Sequence, residues 1–185
     1  MNKKIYVLVG LVIAAFATIF VLVNVEGGNE PEMAQTEDVK QLVRKYSIGN
    51  IEKESASINS HQLIVTDSEE NQTTYELPED EFFVSIAPYI ENTHPCAIHS
   101  LTGCQGELVE QKFAVYIEDG EGNVIVDETM ESQANGFIDL WLPRDHTYHV
   151  TIEQDGKTAV SEFSTFEDDN TCITTIQLED SENIT

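Results

Sequence analysis

Positive charge is scarce in this sequence. Its 185 residues include nine lysines and arginines against 34 aspartates and glutamates, a formal net charge of −25. Binding to nucleic acid needs a basic surface that displaces counterions from the phosphates, and docking on anionic lipid headgroups needs the same sign of charge. The composition therefore argues against both kinds of partner. A strongly acidic surface serves mainly to keep a protein soluble.

Several catalytic motifs are missing as well. The sequence has no Gly-x-Ser-x-Gly motif, no glycine-rich phosphate loop and no His-Glu-x-x-His zinc motif. The acidic turn at residues 119–123 lacks the length and ligand order of an EF-hand. We therefore do not expect a hydrolase, a nucleotide-binding enzyme or a calcium sensor.

Cysteine is rare too, and two of the three cysteines lie close together in the sequence. The chain has three cysteines and five histidines. The stretch HPCAIHSLTGC holds two of each, namely His94, Cys96, His99 and Cys104. A proline and a glycine within this stretch favour a loop. The third cysteine, Cys172, lies far downstream, so the three sulfurs converge only if that segment lies beside the loop.

Three interpretations of the cysteines remain open. Cys96 and Cys104 could form a structural disulfide, which is common outside the cytosol. Three thiolates with an imidazole would instead suit Cu(I) or, less distinctively, Zn(II). The third possibility is a dithiol that cycles between the reduced and oxidised forms. The odd number of cysteines weakens the disulfide interpretation, because it leaves Cys172 without a partner.

The histidines of the stretch are the remaining candidate ligands. His99, ahead of His94, is expected to receive Cu(II), which imidazole binds well, and to deprotonate a neighbouring thiol. The alternative for either residue is a hydrogen bond that stabilises the loop. The other three histidines, His61, His146 and His149, are not expected to bind metal.

One long apolar run occurs, at the N-terminus. Two lysines precede residues 5–23, which carry no charge and would nearly span a hydrocarbon core of roughly 30 Å. The basic end is expected to stay in the cytoplasm, with the rest of the chain outside. We predict an uncleaved single-pass anchor at residues 1–25. The alternative is a secretory signal cleaved near residues 15–17, which would release the protein.

The periodicity of the rest predicts a mainly β protein with a short N-terminal helical part, an α+β chain. A linker at residues 26–35 leads to a helix at 36–46 with Thr36 as its N-cap. A β-hairpin at 61–77 and a buried strand at 81–87 follow. Further strands are predicted at 113–117, 124–126, 136–142, 148–152, 158–163 and 171–178. Repeated short strands indicate a β-sandwich-like C-terminal domain.

These elements suggest four parts after the anchor. They are the linker at 26–35, a helix-and-hairpin region at 36–91 suited to dimerisation, a β domain at 92–178 with the cysteines, and an acidic tail at 179–185 that is expected to fray.

Several blocks of the sequence together resemble the CueP family of extracytoplasmic copper-binding proteins. The blocks are FFVSIAPY at 82–89, HPC at 94–96, His99, GCQGE at 103–107, GFIDLWLPR at 136–144 and TCITTIQL at 171–178. The resemblance runs from the helix at about residue 36 to residue 178. It is specific because the blocks occur in order and all three cysteines are matched.

The resemblance implies a copper site in the C-terminal part, built on Cys96, Cys104 and Cys172 with His94 or His99 nearby. Members of the family are linked to copper resistance. They are thought to hold Cu(I), to help reduce Cu(II), and to hand copper to a periplasmic superoxide dismutase. They are also described as dimers joined through the N-terminal part. The predicted anchor and the high acidity depart from the periplasmic members and suggest a cell with a single membrane.

Two hypotheses about function follow. The first is a copper-binding protein that holds Cu(I), reduces Cu(II) through its thiols, and works with a copper-accepting protein and a thiol-redox partner. The second is a structural β-sandwich module stabilised by a Cys96–Cys104 disulfide.

Overall fold

The computed structural model describes residues 32–49, 51 and 53–183. These residues contain one α-helix, α1 (Glu32–Ile48), and a 3₁₀ turn at Ser181–Asn183. The strands are β1 Ser55–Ile58, β2 Gln62–Thr66, β3 Gln72–Glu76, β4 Glu81–Ile86, β5 His99–Ser100, β6 Lys112–Asp119, β7 Val124–Glu131, β8 Ile138–Pro143, β9 Thr147–Gln154, β10 Lys157–Ser164, β11 Cys172–Ile173 and β12 Glu179–Asp180. The prediction of a mainly β chain with an N-terminal helix is confirmed.

Two predictions about organisation concern regions or boundaries that the structure does not test. The anchor at residues 1–25 lies outside the described residues. Within them, no helix is long and apolar enough to cross a membrane. The segment Thr36–Thr185 forms one compact unit, and the internal boundaries predicted at residues 91 and 178 stay predictions.

Helix α1 is longer than predicted. It begins at Glu32, so the helix already runs through residue 36 and the prediction of Thr36 as the N-cap is wrong. Residues 32–35, EMAQ, include good helix formers, which explains the extension. Residues 32–35 were predicted to be the last four residues of the linker, but they belong to the helix. The other linker residues, 26–31, lie outside the described part. The helix ends at Ile48, before Gly49.

The strands form three sheets. Their orders are β3-β2-β1-β5, β12-β10-β9-β6-β7 and β11-β4-β8. The pairing of β11 with β4 is parallel, whereas the pairings within the other two sheets are antiparallel. The hairpin predicted at 61–77 is present as β2 and β3. Strand β1 was not predicted, and it joins this hairpin to the short β5 within the cysteine-containing stretch.

The larger hydrophobic core is shared by the five-stranded and three-stranded sheets. Phe82, Val84 and Ile86 of β4 contribute alternate side chains to it, as a strand with one face on a core must. The opposite sheet contributes buried residues from β6, β9 and β10, namely Phe113, Val115, Ile117, Tyr148, Val150, Ile152, Ala159 and Phe163. Two sheets therefore pack on one core, and β4 contributes to it from outside the range 92–178 in which the sandwich-like domain was predicted.

A second core lies on the other face of β4. Phe83 packs there with the apolar face of α1, with β1 and β2, and with Trp141, whose ring centroid is 5.2 Å away. Every residue of β4 after Glu81 is therefore buried. A strand enclosed on both faces is rigid. The chain continues from it through residues 87–93 into the cysteine-containing stretch.

The prediction of a strand at residues 171–178 is mostly wrong. Only Cys172–Ile173 forms a strand, and Gln177 makes an isolated bridge to Tyr89. The backbone hydrogen bonds to the neighbouring segment explain the interruption. The N–H groups of Ser85, Ala87 and Tyr89 donate in turn to the carbonyls at residues 171, 173 and 176. The 171–178 segment thus advances three residues where its partner advances two, and this extra residue breaks the ladder.

The predicted fraying of the acidic tail is wrong for its first residues. Glu179–Asp180 pairs with the start of β10 as β12. Lys157 Nζ lies 2.6 Å from an Asp180 carboxylate oxygen, and Ser181 Oγ donates to the Gly156 carbonyl at 2.7 Å. One of the few cations of the chain therefore fixes an acidic segment.

Two glycines bring two loops of the chain into contact. Gly136 has φ +81°, a conformation that glycine adopts without strain. A Cβ on Gly136 would lie 2.7 Å from the Gly106 carbonyl oxygen, and a Cβ on Gly106 would lie 2.6 Å from the Gly136 carbonyl oxygen. This contact joins the segment that follows Cys104 to the one that precedes Phe137.

Gly136→Ala is expected to lower the free energy of unfolding by more than about 3 kcal/mol, because a strained φ, worth roughly 1–3 kcal/mol, and a backbone clash add. Gly156→Ala is the matched control, since Gly156 has φ +78° but open space at the Cβ position. Urea denaturation of both variants measures the difference. Equal losses would contradict a role for the close approach.

Candidate metal centre

Three segments bring the candidate ligands together. The stretch at 94–104 leaves β4 and forms β5, in which His99 pairs with Ile58 of β1. Strand β11 then places Cys172 beside Ser85 of β4 through the parallel pairing. The sequence predicted that the cysteine-containing stretch is a loop. This prediction is wrong for His99 and Ser100, because they form β5 at the edge of the four-stranded sheet.

Thr171 ties these segments to one another. It is 1% exposed, and its hydroxyl donates to the Ile58 carbonyl at 2.6 Å while accepting from the His99 N–H at 3.1 Å. Its N–H donates to the Ala97 carbonyl, and its carbonyl accepts from the Ser85 N–H. One buried residue therefore uses all its polar groups to hold β1, β4 and β5 around Cys172.

The ligand atoms form two overlapping groups of three. His99, Cys104 and Cys172 have ligand atoms within 4.8 Å of one another, and so do His94, Cys96 and Cys104. We call these the inner and outer triads. Cys104 belongs to both, and its Sγ lies 3.5 Å from Cys96 Sγ.

The two triads differ in exposure. His99 and Cys172 of the inner triad are buried, whereas all three residues of the outer triad are half-buried. The floor of the site is apolar, because Phe137 and Ala87 pack against the sulfurs. The Phe137 ring lies 4.5 Å from the His99 ring and 6.5 Å from the His94 ring, measured between centroids. The site is thus dry at its base and open at its outer face.

A carboxylate fixes the approach to the outer triad. Glu107 accepts hydrogen bonds from the backbone N–H groups of Ile90, Glu91 and Asn92. These residues lead directly to His94. A surface pocket beside them is lined by Asn92, Thr93, His94, Gln105, Gly106 and Glu107. His94 therefore faces an opening to solvent.

The three thiols have different acidities. A hydrogen bond from the Cys172 thiol lowers the pKa of Cys104, because it stabilises the thiolate. The same bond, together with burial, raises the pKa of Cys172. Burial raises the pKa of Cys96. Cys104, the residue shared by the two triads, is therefore the thiolate of the set.

Behind His99 lies a polar network that the sequence did not reveal. His99 Nε2 lies 3.3 Å from Ser85 Oγ, which donates to Asp139 Oδ1 at 2.6 Å. Asp139 Oδ2 accepts from Ser47 Oγ and from Gln133 Nε2. The available signal was a polar residue inside each of two apolar runs, Ser85 in FFVSI and Asp139 in FIDLWL, but only the strand register pairs the two residues.

The five candidate ligands thus meet at one place, although their binding of metal stays a prediction. His61, His146 and His149 are exposed and join neither triad among the described residues. All three cysteines are described, and all are free. The short Cys96–Cys104 distance keeps the predicted disulfide within reach as an oxidised form.

The donor set fits a soft metal ion. Thiolates and imidazole are the ligands that Cu(I) and Zn(II) prefer. Within the described residues, His99 Nδ1 is buried without a hydrogen-bond partner, which normally calls for an explanation. A metal ion at the inner triad would supply the missing partner.

We expect iodoacetamide to label Cys104 first in the reduced protein near pH 6. Its lowered pKa leaves thiolate present where an ordinary thiol, with a pKa near 8.5, is protonated. Cys96 should react as the pH rises, and buried Cys172 only on unfolding. Peptide mass spectrometry measures the three rates, and equal labelling of Cys96 and Cys104 at low pH would contradict the assignment.

Comparison with known proteins places the chain in a family. The model of the family described as "Periplasmic copper-binding protein CueP" matches residues 39–177, a range that includes all five candidate ligands. A solved structure described as the crystal structure of S.CueP is 40% identical to this chain, with a TM-score of 0.72. The alignment covers 76% of this chain and 89% of that one. No curated protein matches. The chain belongs to the CueP family of periplasmic copper-binding proteins.

Proposed function

We propose that this protein binds Cu(I) outside the cytoplasm through Cys96, Cys104 and Cys172, with His99 and His94 as additional ligands. The observation that carries the proposal is the pair of triads that share Cys104. A structural disulfide would need only Cys96 and Cys104. It would not require a third sulfur and two imidazoles at the same place.

Cu(I) suits this donor set better than other biological metals. It is soft, prefers sulfur and accepts few ligands, so either triad alone offers enough. Zn(II) usually takes four ligands in a tetrahedron. The apolar floor around Phe137 and Ala87 also favours an ion whose charge is neutralised by thiolate over one that keeps bound water.

The difference in burial suggests a direction of entry. Incoming copper meets half-exposed His94 and Cys96 first, and reaches Cys172 and His99 through the shared Cys104. This reverses the predicted order of the histidines, because His99 is 0% exposed and cannot meet the ion first. The net charge of −25 raises the local concentration of cations around the opening.

The outer triad also suits reduction of Cu(II). In the proposed step two Cu(II) ions each accept one electron, while Cys96 and Cys104 form one disulfide and release their remaining thiol protons to solvent. The two sulfurs lie 3.5 Å apart, so a small movement brings them to bonding distance. Regeneration needs a thiol-redox partner that reduces the disulfide.

The cellular role follows from these properties. A protein that captures, reduces and holds copper outside the cytoplasm contributes to copper resistance, and it delivers the ion to a copper-accepting protein. The predicted anchor at residues 1–25 would keep it at the membrane as a single-pass protein. The region at 36–91, with α1, is the proposed dimer contact.

Cys172→Ser should weaken Cu(I) binding more than about 100-fold, which exceeds the ~10–100-fold effect of residues behind a metal site. A serine hydroxyl is a poor ligand for a soft ion. The measurement is a competitive titration of the fully reduced protein against a calibrated Cu(I) chelator.

His149→Gln is the matched control for this titration, because His149 is exposed on β9 and lies outside both triads. It should bind one Cu(I) per chain as tightly as the unmodified protein. If the unmodified protein does not compete for Cu(I), the disulfide-stabilised structural module becomes the better description.

Cu(II) added without oxygen to the reduced protein should lose its electron paramagnetic resonance signal, with one disulfide formed per two Cu(II) ions. Cys96→Ser should abolish disulfide formation, whereas His149→Gln should not. The protein's mass and thiol count report the disulfide. Persistence of the Cu(II) signal with the unmodified protein would rule out the reductive step.

A further inference from the structure

His99 presents two nitrogens to two different surroundings. Nε2 faces the hydroxyl of Ser85 at 3.3 Å, on the side of β4 and β8. Nδ1 is buried and, among the described residues, has no hydrogen-bond partner. The residue as a whole is 0% exposed, so water does not supply one from the surface. The placement of the single proton of a neutral imidazole decides which nitrogen can bind a metal ion.

The hydrogen bonds behind His99 determine that placement. The carboxylate of Asp139 can only accept, so the Ser85 hydroxyl donates its one proton to Asp139 Oδ1. Ser85 Oγ is then left as an acceptor, and among the side chains that the structure describes, His99 Nε2 is the group placed to donate to it. The proton therefore lies on Nε2, and Nδ1 keeps a free lone pair.

Asp139 is itself held in one orientation. Gln133 Nε2 donates to Oδ2 at 3.0 Å, and Ser47 Oγ donates to the same oxygen. Ser47 Oγ also lies 2.8 Å from Gln133 Oε1, a second acceptor, so its single hydroxyl proton serves either Gln133 or Asp139, and Gln133 Nε2 is the constant donor to Oδ2. Oδ1 remains for Ser85. The direction of the hydrogen bonds thus runs from His99 through Ser85 to Asp139.

We propose that Ser85 and Asp139 are positioning residues that fix His99 as the Nε2–H tautomer and so present Nδ1 to the inner triad as a metal ligand. This inference rests on the proposed function, because it assigns a ligand atom within the same site. Metal-bound histidines in proteins commonly donate their second N–H to a carboxylate or a carbonyl, and this contact orients the ring. Here a serine hydroxyl connects the ring to the carboxylate.

The opposite tautomer would close the site to metal. With the proton on Nδ1, the lone pair would face Ser85, and the nitrogen that the proposal assigns to the metal ion would carry a hydrogen. Ser85 would then have to donate to His99 and could no longer donate to Asp139 Oδ1. The existing contacts of Asp139 therefore favour the open form.

Asp139→Asn offers a test, because asparagine has nearly the shape of aspartate but replaces one acceptor oxygen with a donor NH₂ group, which should reverse the hydrogen bonds. Gln133 Nε2 donates to the Oδ2 position, so the amide oxygen should occupy it and the amide nitrogen should face Ser85. Ser85 would then accept from the asparagine and donate to His99 Nε2, which moves the imidazole proton to Nδ1. Asp127→Asn is the matched control, since Asp127 is exposed on β7 and lies outside this network.

Two readouts are needed, and the first does not involve copper. Long-range ¹H–¹⁵N spectra of the reduced, metal-free protein report the tautomer of each histidine, with His99 assigned through a His99→Gln variant. We expect Nε2–H in the unmodified protein and in Asp127→Asn, and Nδ1–H in Asp139→Asn. Cu(I) affinity should fall about 10-fold to 100-fold in Asp139→Asn and stay unchanged in Asp127→Asn.

Ser85→Ala is a second variant that tests the same proposal if Asp139→Asn does not fold. It removes the connecting hydroxyl from a small residue, and it should give mixed tautomers and an intermediate loss of affinity. A metal-free unmodified protein with Nδ1–H would overturn the proposal. So would a changed tautomer in Asp139→Asn with unchanged Cu(I) affinity. If the proposed function itself is wrong, the unmodified protein will bind no Cu(I). That result would also remove the ligand role of His99, whereas the two results above would not affect Cu(I) binding by the unmodified protein.

Discussion

The geometry of the site depends on the buried polar groups of one residue, Thr171. Its hydroxyl, N–H and carbonyl are all paired, and together they connect β1, β4 and β5. A buried polar group left without a partner costs roughly 1–3 kcal/mol, so each of these bonds strongly disfavours a displaced segment. Cys172 is the next residue in the chain, and its sulfur has little freedom once Thr171 is in place. The hydrogen bonds of a threonine thus determine where a cysteine lies.

The site combines a rigid half with a more open half. The inner triad rests on β4, whose two faces are buried in two separate cores. The outer triad lies on the connection that follows β4, and it is held from one side by the carboxylate of Glu107. Cys104 belongs to both halves and has the most acidic thiol. In the proposed function, the ion passes from the accessible half to the enclosed half while it remains bound to the same sulfur.

Much of the fold could be predicted from alternation alone. The helix, the hairpin of β2 and β3, and the strands β4 and β6 to β10 all appear near their predicted positions, because each carries its own apolar pattern. The segment at 171–178 has the composition of a strand, but an extra residue interrupts its pairing, and a sequence pattern does not show how a strand registers with its neighbour. The gathering of Cys172 with Cys96 and Cys104 followed from the family resemblance, whereas the partnership of Ser85 and Asp139 depends on the register of β4 and β8.

The parallel pairing of β11 with β4 has a consequence for the order in which the protein is completed. The outer triad comes from one short stretch of chain, so its contacts are local and can form as soon as that stretch leaves the ribosome or the export machinery. The inner triad needs Cys172, which is synthesised much later and must pair with a strand formed well before it. Contacts of such long sequence separation form slowly. If the site binds copper as proposed, a nascent or truncated chain would hold the ion only through the outer triad, and tight retention would mark a chain whose C-terminal segment has been incorporated into the fold.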